Sequence, residues 1–190
     1  MSPVPRRVLV LAFGLALVVS ACGGDDSGTT ATADGGGDAA PAQPAPEGVE
    51  GAVAIRAPGD RQHLDGDIDY PTSPPIGGDH NIVWANCKFY DAPVPDENVV
   101  HSLEHGAVWV AYGADAPTDE LQTLAARAGQ ESHLIATPYE GLPTTYVLSA
   151  WERRLELDTL TDPRFEQFID TYMQGPTTPE PDTACSGGAG

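Results

Sequence analysis

Val100-His101-Ser102-Leu103-Glu104-His105-Gly106-Ala107-Val108-Trp109-Val110-Ala111-Tyr112 is the stretch whose reading decides the fold. It changes character at Gly106. Asp96 to His105 reads as a short helix, with Gly106 at the position just past its end, where a left-handed backbone is needed. Ala107 to Tyr112 then alternates small, β-branched and aromatic residues, which is the pattern of a strand. A helix that stops on a glycine and runs directly into a strand belongs to a mixed α and β domain.

Downstream, Pro117 to Ala128 reads as a main helix. Thr118 is its expected N-cap, Asp119 and Glu120 suit its first turn, and Leu121, Leu124, Ala125 and Ala128 form its apolar stripe up to Gly129. His133 to Thr137 and Thr144 to Trp151 read as strands, and Arg154 to Leu157 as another. Asp162 to Tyr172 is the second main helix, with Phe165, Phe168, Ile169 and Tyr172 on one face before Gly175-Pro176. Upstream, Val53 to Arg56 suits a short strand, and residues 57–80 are broken by Pro and Gly into an irregular, turn-rich segment. The expected fold is α+β: a single small domain with a mostly antiparallel sheet and two main helices, after a disordered tether.

The chain has 190 residues, which suits one domain, and a formal net charge of −19 from 9 basic and 28 acidic residues. No basic stripe exists to neutralise phosphates, so nucleic acid is excluded as a partner, and electrostatic adhesion to anionic lipid is disfavoured. The N-terminus reads as a secretion signal over residues 1–21. Arg6 and Arg7 precede an apolar run from Val8 to Val19 that is too short to span a bilayer comfortably. Val19-Ser20-Ala21-Cys22 resembles the bacterial lipobox, in which the Cys thiol, here that of Cys22, is lipidated and the signal is cut before it. Loss of Arg6 and Arg7 would take the net charge to −21. Residues 22–50 are an acidic Gly/Ala/Pro stretch with almost no large apolar side chain, expected to be a disordered spacer. The expected location is therefore extracytoplasmic, with the membrane as partner through the lipid on Cys22. Residues 51–190 form the expected folded domain, with a Pro-rich tail from 176. Cys87 and Cys185 are the remaining pair, and an oxidising compartment favours a disulfide that pins this tail. A metal ligand is the other use open to Cys87.

Five histidines stand at positions 63, 80, 101, 105 and 133, four of them close together in the part of the chain poorest in regular structure. His101 and His105 are spaced i, i+4, so a helix would set both rings on one side, one turn apart. That is a common way to offer two nitrogens to one ion. His80 follows the loop Pro74-Pro75-Ile76-Gly77-Gly78-Asp79, whose turns can deliver a side chain to a site elsewhere. His80, His101 and His105 are the expected metal ligands, with His63 and Met173 as further candidates. Glu104 is expected behind them, orienting an imidazole through its free N–H. Imidazole ligands suit copper or zinc, and a thioether from Met173 would favour Cu(I). His133, alone at the start of a strand, is expected to be structural. His-x-x-Glu-His also fits the inverted zinc peptidase pattern, with Glu104 as base. Gly106 ends the helix too early for that motif, and no third ligand is evident downstream. No Gly-rich phosphate loop with a Lys and no G-x-S-x-G is present, and Ser102 beside His101 is no triad.

Two segments carry a family resemblance: Tyr70-Pro71-Thr72-Ser73-Pro74-Pro75-Ile76-Gly77-Gly78-Asp79-His80, and Val100 to Val108 with its H-x-L-E-H-G signature. Together with Ser149-Ala150-Trp151 and Gly175-Pro176-Thr177-Thr178-Pro179-Glu180, they resemble the bacterial family called domain of unknown function 3105, over roughly residues 50–185. The resemblance implies a secreted or membrane-tethered domain whose signature rests on His80, His101, Glu104 and His105, with His63 beside them. It establishes no activity. Where the family loop reads Ser-Gly-Pro-His, this chain has Gly77-Gly78-Asp79-His80, and loss of that proline is expected to loosen the loop. Three functional readings stand: a copper or zinc site for metal binding or delivery, an interaction module whose His/Glu network is architectural, and a small zinc hydrolase. The balance is towards a protein that is not an enzyme.

Overall fold

The computed structural model describes Gln43–Pro44 and residues 48–190. The expected signal peptide, the lipobox at Cys22 and most of the expected tether lie outside the described residues. The elements in chain order are β1 (Gln43–Pro44), β2 (Val53–Ala54), α1 (Asp96–Glu104), β3 (Val108–Tyr112), α2 (Thr118–Ala128), β4 (Leu134–Pro138), β5 (Tyr146–Ala150), β6 (Arg153–Leu157) and α3 (Arg164–Tyr172). The fold is α+β, as its sequence pattern suggests. One mixed sheet runs in the order β1-β2-β6-β5-β3-β4. Four of its five pairings are antiparallel, and only β3 with β4 is parallel, joined through α2. The segment assigned to the tether reaches this sheet at its end: β1 pairs with β2, and the Val49 side chain is buried.

The sheet is covered on both faces, so its central strands are buried at every position. Val108, Val110, Leu134 and Leu148 pack with Leu124 of α2 and Phe165, Phe168 and Ile169 of α3. The alternate residues Trp109, Ala111, Ile135 and Val147 pack on the other face with Val99, Val100 and Leu103 of α1. The β4 edge does not stay open. Ala136 exchanges backbone hydrogen bonds with the Lys88–Tyr90 segment at 3.0 and 2.8 Å, which caps the exposed ladder.

The change of period at Gly106 has a local cause. His105 N–H bonds to His101 O, Gly106 N–H to Leu103 O and Ala107 N–H to Ser102 O, which together close the end of α1. Gly106 sits at φ 93°, and a Cβ there would lie 2.9 Å from Thr178 Cγ2. Glycine is therefore required both for the turn and for the tail that crosses it. At α2 the structure corrects one expectation. Thr118 is the first helical residue, not the cap; Pro117 precedes it with extended backbone, and no side chain caps the helix. Proline suits that place because it needs no N–H partner there.

The tail from residue 176 is bound to the domain. Cys87 and Cys185 form a disulfide, and Cys87 N–H also donates to Cys185 O at 2.8 Å. Asn86 and Ala189 hold the final residues through Asn86 N–H to Ala189 O and Ala189 N–H to Trp84 O. The bridge spans a sequence separation of 98, so cutting it frees a long loop in the unfolded chain. Replacing both cysteines by serine is expected to lower the unfolding free energy by about 2–5 kcal/mol. Urea unfolding of the two proteins measures this, and an unchanged midpoint would show that hydrogen bonds alone hold the tail.

Candidate metal centre

The site is assembled from two irregular segments and one helix. The β5–β6 turn organises the segments. Glu152 takes φ 58°, donates its N–H to Ile76 O at 2.8 Å, accepts from Ile55 N–H at 3.2 Å, and its Oε1 accepts Ala57 N–H at 2.9 Å. One turn residue thus ties together the chain leading to His63 and the chain leading to His80. The two then pair directly: Leu64 N–H bonds to His80 O at 2.8 Å and His80 N–H to Gln62 O at 3.0 Å. Helix α1 supplies His101 and Glu104 from one side, three residues apart.

The Gly77-Gly78-Asp79-His80 loop, expected to be loosened, is held by specific bonds. Asp79 Oδ1 accepts the N–H groups of Asp60 (3.1 Å) and Gln62 (2.8 Å), and Tyr70 Oη donates to Asp79 O at 2.8 Å. Gly78 lies so close to the neighbouring segment that a Cβ would fall 2.8 Å from Pro58 O. Hydrogen bonds and close backbone packing hold the loop, and His80 is fully buried.

His63, His80, His101 and Glu104 each present one ligand atom, and these atoms all lie within 4.8 Å of one another. Such a group can hold a metal ion. The tautomers follow from the backbone. His80 Nδ1 lies 2.9 Å from Gly78 O, and His101 Nδ1 lies 2.7 Å from Asn81 O. A carbonyl oxygen only accepts, so both Nδ1 atoms carry a proton, and in the neutral rings both Nε2 atoms present lone pairs. This is the usual way in which a ligating imidazole is aimed. His80 Nε2 is buried and stands 3.0 Å from Glu104 Oε2, close enough for a hydrogen bond only when that nitrogen carries a proton. Glu104 Oε1 accepts from Arg61 Nη1 at 3.3 Å. His63 is the exposed member of the group, and its ring stacks on that of His101 with centroids 4.9 Å apart.

His105 is not in this group. It is the residue at which α1 ends, and its Nδ1 donates to Ala184 O at 3.0 Å. Its ring still touches that of His101, with centroids 4.6 Å apart. Glu104, expected behind the ligands, is in the group itself. Met173 packs against the core on the α2 and α3 face of the sheet, opposite the α1 face. His133 Nε2 donates to Thr183 O at 2.9 Å, so His105 and His133 both grip the tail beside Cys185. Two participants have no mark in the sequence. Arg61 differs in no local way from other loop arginines, and Trp84 packs its ring 5.6 Å from His101 and 5.1 Å from His105. Of the exposed large apolar residues among the described residues, Leu64 follows His63, and Ile82 and Val83 lie just past His80-Asn81.

The electrostatics follow from burial and neighbours. Burial lowers the His101 pKa to about 4, helped by the surrounding imidazoles and only partly opposed by Asn81 O. Burial also lowers His105. Burial alone would lower His80 as well, but the Glu104 carboxylate and the Gly78 carbonyl outweigh it, and its pKa is raised. For Glu104, burial pushes upward, and His80 and then Arg61 more than compensate, so its pKa falls. The site thus combines a neutral His101 with an ionised Glu104 and a His80 whose protonated form that carboxylate favours.

The structure therefore sets three imidazoles and one carboxylate that could hold a metal ion on an α+β scaffold. Residues 62–187 match the family described as Protein of unknown function (DUF3105), and the chain belongs to that family. No curated protein and no solved structure matches the chain.

The two imidazole shifts have opposite consequences. His101 binds a proton in the unfolded state but not in the folded state between its ordinary value of 6.5 and about 4, so its contribution to stability is complete above that window and is lost as pH falls through it. His80 contributes in the other sense, with stability present at low pH and lost as pH rises through its raised pKa. In a histidine-selective NMR titration, His101 is expected to stay a neutral Nδ1–H tautomer down to about pH 5, while His80 protonates above the free-imidazole range. Common titration of the two rings near the free value would contradict the site geometry.

Proposed function

We propose that this protein is an extracytoplasmic metal-binding lipoprotein, tethered by lipid on Cys22, that binds or hands on a copper or zinc ion through His63, His80, His101 and Glu104. One observation carries the reading. His80 Nε2 is buried and, in the neutral ring, turns a lone pair towards a carboxylate oxygen at 3.0 Å. In the neutral ring two acceptors at that distance repel, and either a proton or a metal cation between them removes the conflict. A divalent ion drawn to both, and to His101 and His63, removes the conflict. Tetrahedral zinc would draw the donors to roughly 3.3 Å apart, from bonds of about 2.0–2.1 Å, within the reach of small side-chain rotations. The exposure of His63 supports exchange, because it leaves one ligand through which an ion can enter or leave.

Isothermal titration of the full-length protein with Zn²⁺, Cu²⁺ and Cu⁺ tests this. One equivalent is expected to bind tightly. His80→Ala or His101→Ala should cost more than the roughly 10–100-fold that loss of an outer partner costs. His105→Ala should keep the ion and loosen the tail instead. Retention of full affinity by His101→Ala would refute the assignment. A second reading is favoured by the raised His80 and lowered Glu104 pKa values: a protonated His80 paired with Glu104, holding the loops together as architecture. In that case no metal binds stoichiometrically, and His101→Ala destabilises the fold equally with and without metal. The tether has its own check. A Cys22→Ser protein is expected to leave the membrane fraction, and unchanged partitioning would sink the lipid anchor.

A further inference from the structure

We infer that Arg61 is a positioning residue that keeps Glu104 monodentate and so sets the coordination number of the centre at four; this rests on the metal-binding reading above. Glu104 has two oxygens and its side chain is almost wholly buried. Oε1 accepts from Arg61 Nη1 at 3.3 Å, and Oε2 faces His80 Nε2 at 3.0 Å. A carboxylate whose outer oxygen is engaged by a guanidinium offers only the other one to an ion. With one nitrogen from each of the three imidazoles, the donor count is four, which is the number that suits tetrahedral zinc. Without Arg61, Oε1 is free to rotate inward and chelate, and the site becomes five-coordinate.

The position of Arg61 is built rather than incidental. Its backbone holds φ 57°, a conformation that side-chain-bearing residues adopt at some cost. The residues on either side are clamped by one atom, since Asp79 Oδ1 accepts the N–H groups of both Asp60 and Gln62. Asp79 immediately precedes His80, so the carboxylate that fixes Arg61 is adjacent in the chain to a ligand. The guanidinium itself is about half exposed, with 49% of the Arg61 side chain open to solvent, so it can be removed without opening the core.

Cobalt(II) reports the coordination number directly. Its visible d–d bands are intense in a tetrahedral field, which lacks a centre of inversion, and weaken as ligands are added. The full-length protein loaded with one equivalent of Co²⁺ is expected to show the intense four-coordinate spectrum. Arg61→Gly suits the positive φ and removes only the side chain. It should keep the one-to-one stoichiometry while the band intensity falls severalfold. Arg61→Met, which keeps the length without the charge, should do the same. A variant spectrum identical to that of the parent would overturn the role of Arg61. So would a parent spectrum already in the weak five- or six-coordinate form. Failure of the parent to bind Co²⁺ at all would instead overturn the metal-binding reading, and this inference with it.

Discussion

A carboxylate taken out of water is costly unless positive charge or hydrogen bonds meet it, with an effective penalty of several kcal/mol per ion. Glu104 is such a carboxylate, buried in the last turn of α1. The loops around it are arranged to answer it. Arg61 donates to Oε1 from one segment, and His80 stands at Oε2 from another, where its protonated form pairs with the carboxylate. Neither segment has regular structure, so their placement rests on specific bonds. Asp79 holds the Arg61 loop, the His63–His80 bridge joins the two segments, and the Glu152 turn anchors both to the sheet. The histidines meet beside this buried anion because those specific bonds hold their segments there.

The scaffold supports that arrangement from both sides. Burial of both sheet faces makes β3 and β5 a rigid floor under α1, and Trp109, Ala111 and Val147 fix the depth at which the helix lies. From above, the tail closes over the helix end. Glu180 N–H bonds to Glu104 O at 3.0 Å, Gln174 Nε2 donates to His105 O, and His105 grips Ala184. The H-x-L-E-H-G signature therefore serves two purposes. His101 and Glu104 face the centre. His105 and Gly106 seat the tail, which the Cys87–Cys185 bridge then locks.

Much of this was legible in the chain. The β-branched and aromatic runs mark β3 and β5, and the apolar stripes mark α2 and α3, because burial of a face imposes a period on the sequence. The histidines stand out through their number and their setting among glycines and prolines. The roles of Glu104 and His105 were harder to read. On a helix, residues i+3 and i+4 from His101 lie on nearby sides, so spacing alone does not say which one turns inward. The outcome depends on the Ala184 carbonyl, which arrives from a tail 79 residues away in sequence. Arg61 was illegible for a similar reason, since its partner Glu104 lies 43 residues further on.

By itself, the sequence determined the fold class, the limits of most elements, the cysteine pair and the set of imidazoles available to a site. These follow from local periodicity, turn chemistry and composition, which need no knowledge of distant contacts. Only the tertiary structure decided that β3 and β4 run parallel, that Glu104 rather than His105 joins His63, His80 and His101, and that Arg61 stands behind the carboxylate. Each depends on which segments far apart in the chain meet, and that is governed by the burial of one charge and by the backbone carbonyls that orient each ring.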